Sequence, residues 1–197
     1  MGSFITLAAA DGFACPAYVA QPAGTPKGAI VVVQEIFGVN THIRAVADGY
    51  AAAGYLAVAP ATFARIGKGE VQLGYNEADM NEGFGYKTAV EALPAPGVMA
   101  DLQAAVDHAA KASGGKVGIV GYCWGGLLTW RAASLLQGLS PTRLEQSHSQ
   151  AAHERYDANT QQAIDAGVFG APSYVIDGEI FWGQDRLDFV ERKLARG

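Results

Sequence analysis

The feature that most constrains this chain is the stretch 116-KVGIVGYCWGGLLTWRAASLL-136. Its first five residues form a short apolar run that predicts a strand, and residues 127–136 predict a helix. Between them stands Cys123, with Gly121 before it and Gly125 after it. A strand, a glycine-flanked nucleophile and a helix form a nucleophile elbow, here with cysteine in the place where serine is usual. The pattern therefore predicts an exposed thiol at the end of a strand, and such a nucleophile needs a base to activate it.

Strands and helices alternate along the first two thirds of the chain. The segments 29-AIVVVQEI-36 and 55-YLAVAP-60 predict strands buried on both faces of a sheet. A helical pattern follows each of them, and the polar, glycine-rich region 61–86 after the second predicts a long loop that can contain a short helix. Strands that alternate with helices imply an α/β fold with a parallel sheet and helices on both faces. Active sites of such sheets lie at the carboxyl ends of the strands.

The pattern changes after about residue 137. Residues 140–167 are polar and helical, and residues 168–183 predict a β-hairpin around Asp177-Gly178, a strong two-residue turn signal. Residues 184–197 predict an amphipathic C-terminal helix. We therefore predict two parts, 1–136 and 137–197.

Composition excludes several classes of function. A net charge of −5 argues against binding to nucleic acid, and no run of about 18 apolar residues predicts a membrane span. The N-terminus has no export signal, so we expect a cytoplasmic protein with Cys15 and Cys123 reduced. The sequence has no CxxC and no cluster of histidine and cysteine, so no metal site is expected.

The first two thirds of the chain resembles the dienelactone hydrolases. The residues that carry the resemblance are 33-VQEIFGVNTHIRAVADGYAAAGYLAVAP-60 and 119-IVGYCWGG-126. That family hydrolyses lactones and esters through an acylated cysteine, without a metal or organic cofactor. The resemblance implies that Cys123 is the nucleophile and that Glu35 contacts the thiol and helps to form the thiolate. It also implies an oxyanion hole formed by the backbone N–H groups of Ile36 and Trp124.

The aspartate and histidine that the family uses later in its sequence have no recognisable counterpart. We find no segment like the G-x-x-D or G-H-x-F motifs that carry them. Of the four histidines, His42 is interpreted as a capping or surface residue at a helix start, and His108 as a surface residue. His148 and His153 lie in the later helical region and are the candidates for a substitute base.

The last part of the chain, 156-YDANTQQAIDAGVFGAPSYVIDGEIFWGQDRLDFVERKL-194, resembles the 2-hydroxychromene-2-carboxylate isomerases, which belong with the kappa-class glutathione transferases and DsbA-like proteins. The resemblance implies a cis Ala171–Pro172 bond that pairs with the backbone of glutathione. It also implies that Gln184 and Asp185 hold the γ-glutamyl end. The N-terminal strand and the catalytic residue of that family are absent from this sequence.

Three hypotheses for function follow. The first is a cysteine-nucleophile hydrolase of small esters or lactones that is impaired because the Asp/His partners are missing. The second is a catalytically inactive fusion of two enzyme fragments, and the third is a glutathione-dependent isomerase or transferase.

The expected architecture is a truncated α/β-hydrolase-like parallel sheet with an appended helical segment, β-hairpin and C-terminal helix. A sheet that stops after the elbow helix leaves an apolar strand at its edge, so we also expect a homo-oligomer.

Overall fold

The computed structural model describes residues 2–135, 146–183 and 187–195. The chain divides into two compact units, Met1–Pro141 and Thr142–Gly197. The predicted boundary at 136/137 falls on residues outside the described ranges and stays a prediction.

The first unit is built on a five-stranded sheet with the order β1-β2-β4-β3-β5. Its strands are β1 (Ser3–Ala8), β2 (Ala14–Ala20), β3 (Ala29–Val33), β4 (Leu56–Pro60) and β5 (Val117–Gly121). Strands β4, β3 and β5 are parallel, as predicted, which confirms the α/β class. The sheet is nevertheless mixed, because β1 and β2 form an antiparallel hairpin that pairs with β4. A connection as short as the one between β1 and β2 can join only antiparallel neighbours.

Helices cover both faces of this sheet. They are α1 (Thr41–Ala52), α2 (Glu77–Glu91), α3 (Val98–Ser113) and α4 (Trp124–Leu135). Alternate residues of β3 belong to two separate cores: Val32 packs with Ile43 of α1, whereas Val31 and Val33 pack with Leu102 of α3. The alternation of side chains along a buried strand produces this division.

Helix α2 is longer than the short helix that the sequence allows within the predicted loop 61–86, since it has 15 residues and extends to Glu91. It begins after Asn76, whose side chain accepts a hydrogen bond from the Asp79 N–H at 2.9 Å. The helix is polar on most sides and contains Gly83 and Gly85, so its sequence lacks the apolar stripe on which a helix prediction depends. It is held in place by the burial of Gly83 and Val90 rather than by its propensity.

An ion-pair cluster joins distant parts of the first unit. Arg65 pairs with Asp101 of α3 at 2.7 Å and with Asp11, in the turn between β1 and β2, at 2.6 Å. Asp101 is completely buried, and this burial raises the pKa of its carboxyl while Arg65 acts in the opposite direction. A buried carboxylate is tolerated only when it is paired, so Arg65 is what allows α3 to carry Asp101 against the sheet.

The second unit contains α5 (Gln150–Asp165), β6 (Ser173–Ile176), β7 (Glu179–Trp182) and α6 (Leu187–Leu194). Strands β6 and β7 form the predicted antiparallel hairpin. Asp177 and Gly178 in its turn both have positive φ, 52° and 78°. Positive φ at both central residues is the requirement of a type I′ turn, which confirms the hairpin prediction.

Candidate active site

Cys123 lies in the turn between β5 and α4, one residue before the helix begins. Its φ is 53°, in the left-handed region that non-glycine residues seldom occupy, and it is exposed. A strained residue between a strand and a helix is the geometry that presents a nucleophile to solvent. The structure therefore forms the elbow that the sequence predicts.

Glycines on both sides of Cys123 make this turn possible. A Cβ at Gly121 would overlap with the carbonyl oxygen of Gly125, and a Cβ at Gly125 would overlap with the carbonyl oxygens of Val33 and Gln34. Neither position has room for a side chain. The absence of both side chains lets α4 begin directly against the end of β3.

Glu35 lies at the same edge of the sheet as Cys123. In the parallel pairing of β3 with β5, Val33 is opposite Gly121, and the Tyr122 N–H donates to the Val33 carbonyl at 3.2 Å. Glu35 and Cys123 each follow this pair by two residues. The strand register thus brings the two predicted residues to neighbouring strand ends.

Tyr75 contacts Glu35 and was not predicted. Its hydroxyl donates to Glu35 Oε2 at 2.8 Å, and its ring packs on Phe37 with 4.5 Å between the ring centroids. Desolvation raises the pKa of Tyr75 to about 12, although 54% of the residue is exposed. The Asn40 side chain lowers this pKa and the Glu35 carboxylate raises it. The phenol therefore stays protonated near neutral pH and remains a hydrogen-bond donor.

The segment that carries Tyr75 is fixed to the segment that follows β3. The Leu73 N–H donates to the Phe37 carbonyl at 2.9 Å, and Asn40 Nδ2 donates to the Leu73 carbonyl at 3.1 Å. A β-bridge also joins Gly38 to Gln72. These contacts hold Tyr75 in front of Glu35.

The two residues predicted for an oxyanion hole, Ile36 and Trp124, are both buried. Trp124 is the first residue of α4, where a backbone N–H has no acceptor within its own helix. The carbonyl group of Ile36 lies against Gly83 of α2, so closely that a Cβ at Gly83 would overlap with the oxygen. Packing thus fixes the peptide on the carboxyl side of Ile36.

The Trp124 side chain is held by Phe63 and Glu91. Its indole stacks on Phe63 with 5.4 Å between centroids, and its N–H donates to Glu91 Oε1 at 3.1 Å. Lys87 and this indole both lower the pKa of Glu91, so the acceptor is ionised at neutral pH. The first turn of α4 is therefore anchored to α2.

His42 lies closer to the site than the sequence indicates. Its ring centroid is 6.5 Å from that of Tyr75 and 6.3 Å from that of Tyr122, which is adjacent to Cys123. The residue that caps α1 is Asn40, so of the two interpretations of His42, capping or surface residue, only the second remains, and the side chain is partly exposed. The proximity of His42 to Tyr75 and Tyr122 depends on the strand order and on the position of Tyr75, which the sequence does not indicate.

The remaining predicted site residues lie in the second unit. His148 and His153 are exposed, and His153 Nδ1 is 2.9 Å from the Ser149 carbonyl oxygen. The Ala171–Pro172 bond is cis, whereas Gln184 and Asp185 are outside the described residues. The roles proposed for these residues stay predictions.

The described residues contain neither a metal-binding cluster nor a membrane-spanning helix. No group of three or more His, Cys, Asp or Glu side chains within 2–135, 146–183 and 187–195 is arranged to hold a metal ion. No helix in the described part of the chain is long and apolar enough to cross a bilayer.

Comparison with known proteins decides the family. The model of the Dienelactone hydrolase family matches residues 15–164. The chain belongs to this family. The match passes the predicted boundary at 136, and the isomerase resemblance of 156–194 stays a prediction.

Individual relatives agree with the family match. A "Putative carboxymethylenebutenolidase" of Methylorubrum extorquens is 43% identical over 123 residues, which are 60% of this chain and 40% of that protein. The "Carboxymethylenebutenolidase" of Pseudomonas putida is 36% identical over 132 residues, 66% of this chain and 55% of that one. The chain thus spans about half the length of the curated relatives that it matches.

A solved structure shows the same fold. It is the crystal structure of "Putative Dienelactone Hydrolase from Klebsiella pneumoniae subsp. pneumoniae MGH 78578". The TM-score is 0.54 at 33% identity, over 68% of this chain and 55% of that one.

Proposed function

We propose that this protein is a cysteine-nucleophile hydrolase of small esters or lactones. The observation that carries the proposal is the elbow at Cys123, whose positive φ and exposure present a thiol at the carboxyl edge of the sheet. Glu35 follows the neighbouring strand at the same edge. The names of the curated relatives, carboxymethylenebutenolidases, support a small ester or lactone as the substrate class.

In the first half of the proposed reaction, the Cys123 S–H proton passes to the Glu35 carboxylate. The thiolate, which is the nucleophilic form of cysteine, then attacks the carbonyl carbon of the substrate. The N–H groups of Ile36 and Trp124 donate to the negative oxygen of the tetrahedral intermediate. Collapse breaks the C–O bond and expels the alkoxide, which takes the proton from Glu35 and becomes the alcohol, and the acyl group stays on Cys123 as a thioester.

In the second half, water must attack the thioester and release the acid. We propose that this step is slow, because the sequence offers no counterpart of the family's Asp/His motifs. Loss of triad members leaves the contribution of the oxyanion hole and of binding, so a reduced rate is expected rather than none.

The test is stopped-flow release of p-nitrophenol from p-nitrophenyl acetate. We expect a burst of one equivalent per chain, followed by slow turnover. Cys123→Ala should abolish the burst and Cys15→Ala should keep it, because Cys15 is completely buried in the core. The absence of a Cys123-dependent burst would overturn the proposal.

The same trace separates the hypotheses for the whole chain. Rapid turnover after the burst would contradict impairment at deacylation. A burst followed by no further release of p-nitrophenol would identify a chain that is acylated but does not turn over. No burst would favour the inactive fusion. Retention on immobilised glutathione would favour the isomerase or transferase hypothesis.

A further inference from the structure

The hydrogen bond between Tyr75 and Glu35 joins the loop that precedes α2 to the segment that follows β3. The two residues are 40 positions apart in the sequence, and the contact engages only one carboxylate oxygen, Oε2. A carboxylate has two oxygens and accepts several hydrogen bonds. The other oxygen, Oε1, is therefore the one suited to take a proton from a thiol.

Glu35 needs such a partner because of where it lies. It follows the buried residue Gln34, and its own side chain is only partly covered. A partly exposed glutamate has three side-chain torsions that solvent alone does not restrict. A general base must be held within hydrogen-bond reach of the proton that it accepts.

Tyr75 is itself well placed to restrict Glu35. Its segment is fixed to residues 37–40 by the backbone and Asn40 contacts described above, and its ring packs on Phe37. The phenol has no flexible chain beyond its ring, so a fixed ring means a fixed donor. The backbone contacts thus restrict Tyr75, and Tyr75 in turn restricts the Glu35 carboxylate.

We propose that Tyr75 is a positioning residue that holds Oε2 of Glu35, so that Oε1 faces the Cys123 thiol and accepts its proton. The inference rests on the proposed function, since it assigns Glu35 as the base that forms the thiolate. Tyr75 touches neither substrate nor sulfur in this role. It acts by limiting the orientations of Glu35.

The test measures thiolate formation without any ester. The rate of alkylation of Cys123 by iodoacetamide at neutral pH is followed by mass spectrometry in the wild type, Tyr75→Phe, Glu35→Gln and the double variant. Phenylalanine keeps the packing on Phe37 and removes only the donor. Loss of a hydrogen bond to a charged group should slow alkylation about tenfold.

The double variant gives the decisive comparison. If Tyr75 acts through Glu35, Tyr75→Phe slows alkylation in the wild-type background and has no further effect when Glu35 is already glutamine. An equal slowing in both backgrounds would overturn the proposal, because Tyr75 would then act by packing. No change or faster alkylation in Tyr75→Phe would also overturn it.

Tyr55→Phe is the matched control. It removes a phenol next to Leu56, at the opposite end of the strands, and should leave the alkylation rate unchanged. Alkylation reports on thiolate formation even if esters are not hydrolysed. Failure of the proposed function would therefore appear in the p-nitrophenol trace, whereas failure of the Tyr75 proposal appears in the alkylation rates.

Discussion

Gly83 shows how one missing side chain can determine the geometry of a site. It lies on α2, is buried, and leaves room for the carbonyl oxygen of Ile36, where a Cβ would overlap. The peptide held in this way is directly next to the residue whose N–H we assign to the oxyanion hole. Hydrogen-bond donors of this type act only when they point at the position that the oxyanion will occupy.

Gly83→Ala should therefore lower kcat for p-nitrophenyl acetate more than it changes KM. Either α2 or the peptide that joins Ile36 to Phe37 must move, and a shift of Ile36 also turns its own N–H. Complete loss of one oxyanion donor costs about 10²–10³ in rate, so this indirect displacement should cost less than that. Gly85→Ala on the same helix is the control, because a Cβ there meets nothing within 4 Å. Alanine is favoured over glycine inside helices, so this control should be stable and fully active. Equal rates for the two variants would contradict the role of Gly83.

The buried thiol of Cys15 should make the folded protein less stable at alkaline pH. Burial, followed by the charge of Asp101, raises its pKa from an ordinary value near 9.0 to about 12. The folded state thus retains a proton that the unfolded state releases, so this contribution to stability is complete below about pH 9 and is lost as pH rises towards 12. The slope is at most about 1.4 kcal/mol per pH unit. In urea titrations between pH 8 and pH 11, the free energy of unfolding should fall more steeply for the wild type than for Cys15→Ala. The same dependence on pH in both proteins would show that the Cys15 thiol does not cause the loss.

At the scale of elements, the site is made where β3, β5, α2 and α4 meet. The sequence predicts the elbow because a strand, a glycine-flanked cysteine and a helix are local patterns. It predicts the β6–β7 hairpin for the same reason, since Asp177-Gly178 encodes its own turn. The length of α2 was not predicted, because its polar, glycine-containing sequence has no apolar stripe and its position depends on contacts with distant residues, such as that of Gly83 with the Ile36 carbonyl.

Contacts between distant elements could not be predicted from the sequence. Tyr75 donates to a residue 40 positions away, and His42 approaches Tyr122 only because β3 and β5 are neighbours. No periodicity encodes such pairs. The Asn76-x-x-Asp79 cap was the one local signal that could have located the start of α2, and with it the neighbourhood of Tyr75.

The junction of α4 with β3 can be tested by another glycine pair. A Cβ at Gly125 would overlap with two carbonyl oxygens of residues 33 and 34, whereas one at Gly126 would lie 3.4 Å from the Gly121 oxygen. Gly125→Ala should destabilise the protein by about 1–3 kcal/mol through overpacking. Gly126→Ala should change the free energy of unfolding much less in urea titrations. The opposite order would show that α4 is not seated on the end of β3 as described.

At the scale of the whole molecule, β5 is the last strand of the described sheet. It pairs with β3 on one side, and α4 beside it exposes Leu127 and Trp130 by 41% and 42%. An apolar strand at a sheet edge favours pairing with another chain. We therefore propose a homo-oligomer. Light scattering at micromolar concentration should give a mass above that of one chain, and a monodisperse monomer would contradict this expectation.

The proposed function depends most directly on a covalent acyl intermediate at Cys123. The most direct measurement is acid quenching within the first turnover of p-nitrophenyl acetate, followed by mass spectrometry of the peptides that contain Cys15 and Cys123. We expect one acetyl group on Cys123, none on Cys15, and a longer-lived adduct if deacylation is impaired. An unmodified Cys123, or acetyl groups scattered over lysines to the same extent in Cys123→Ala, would contradict it.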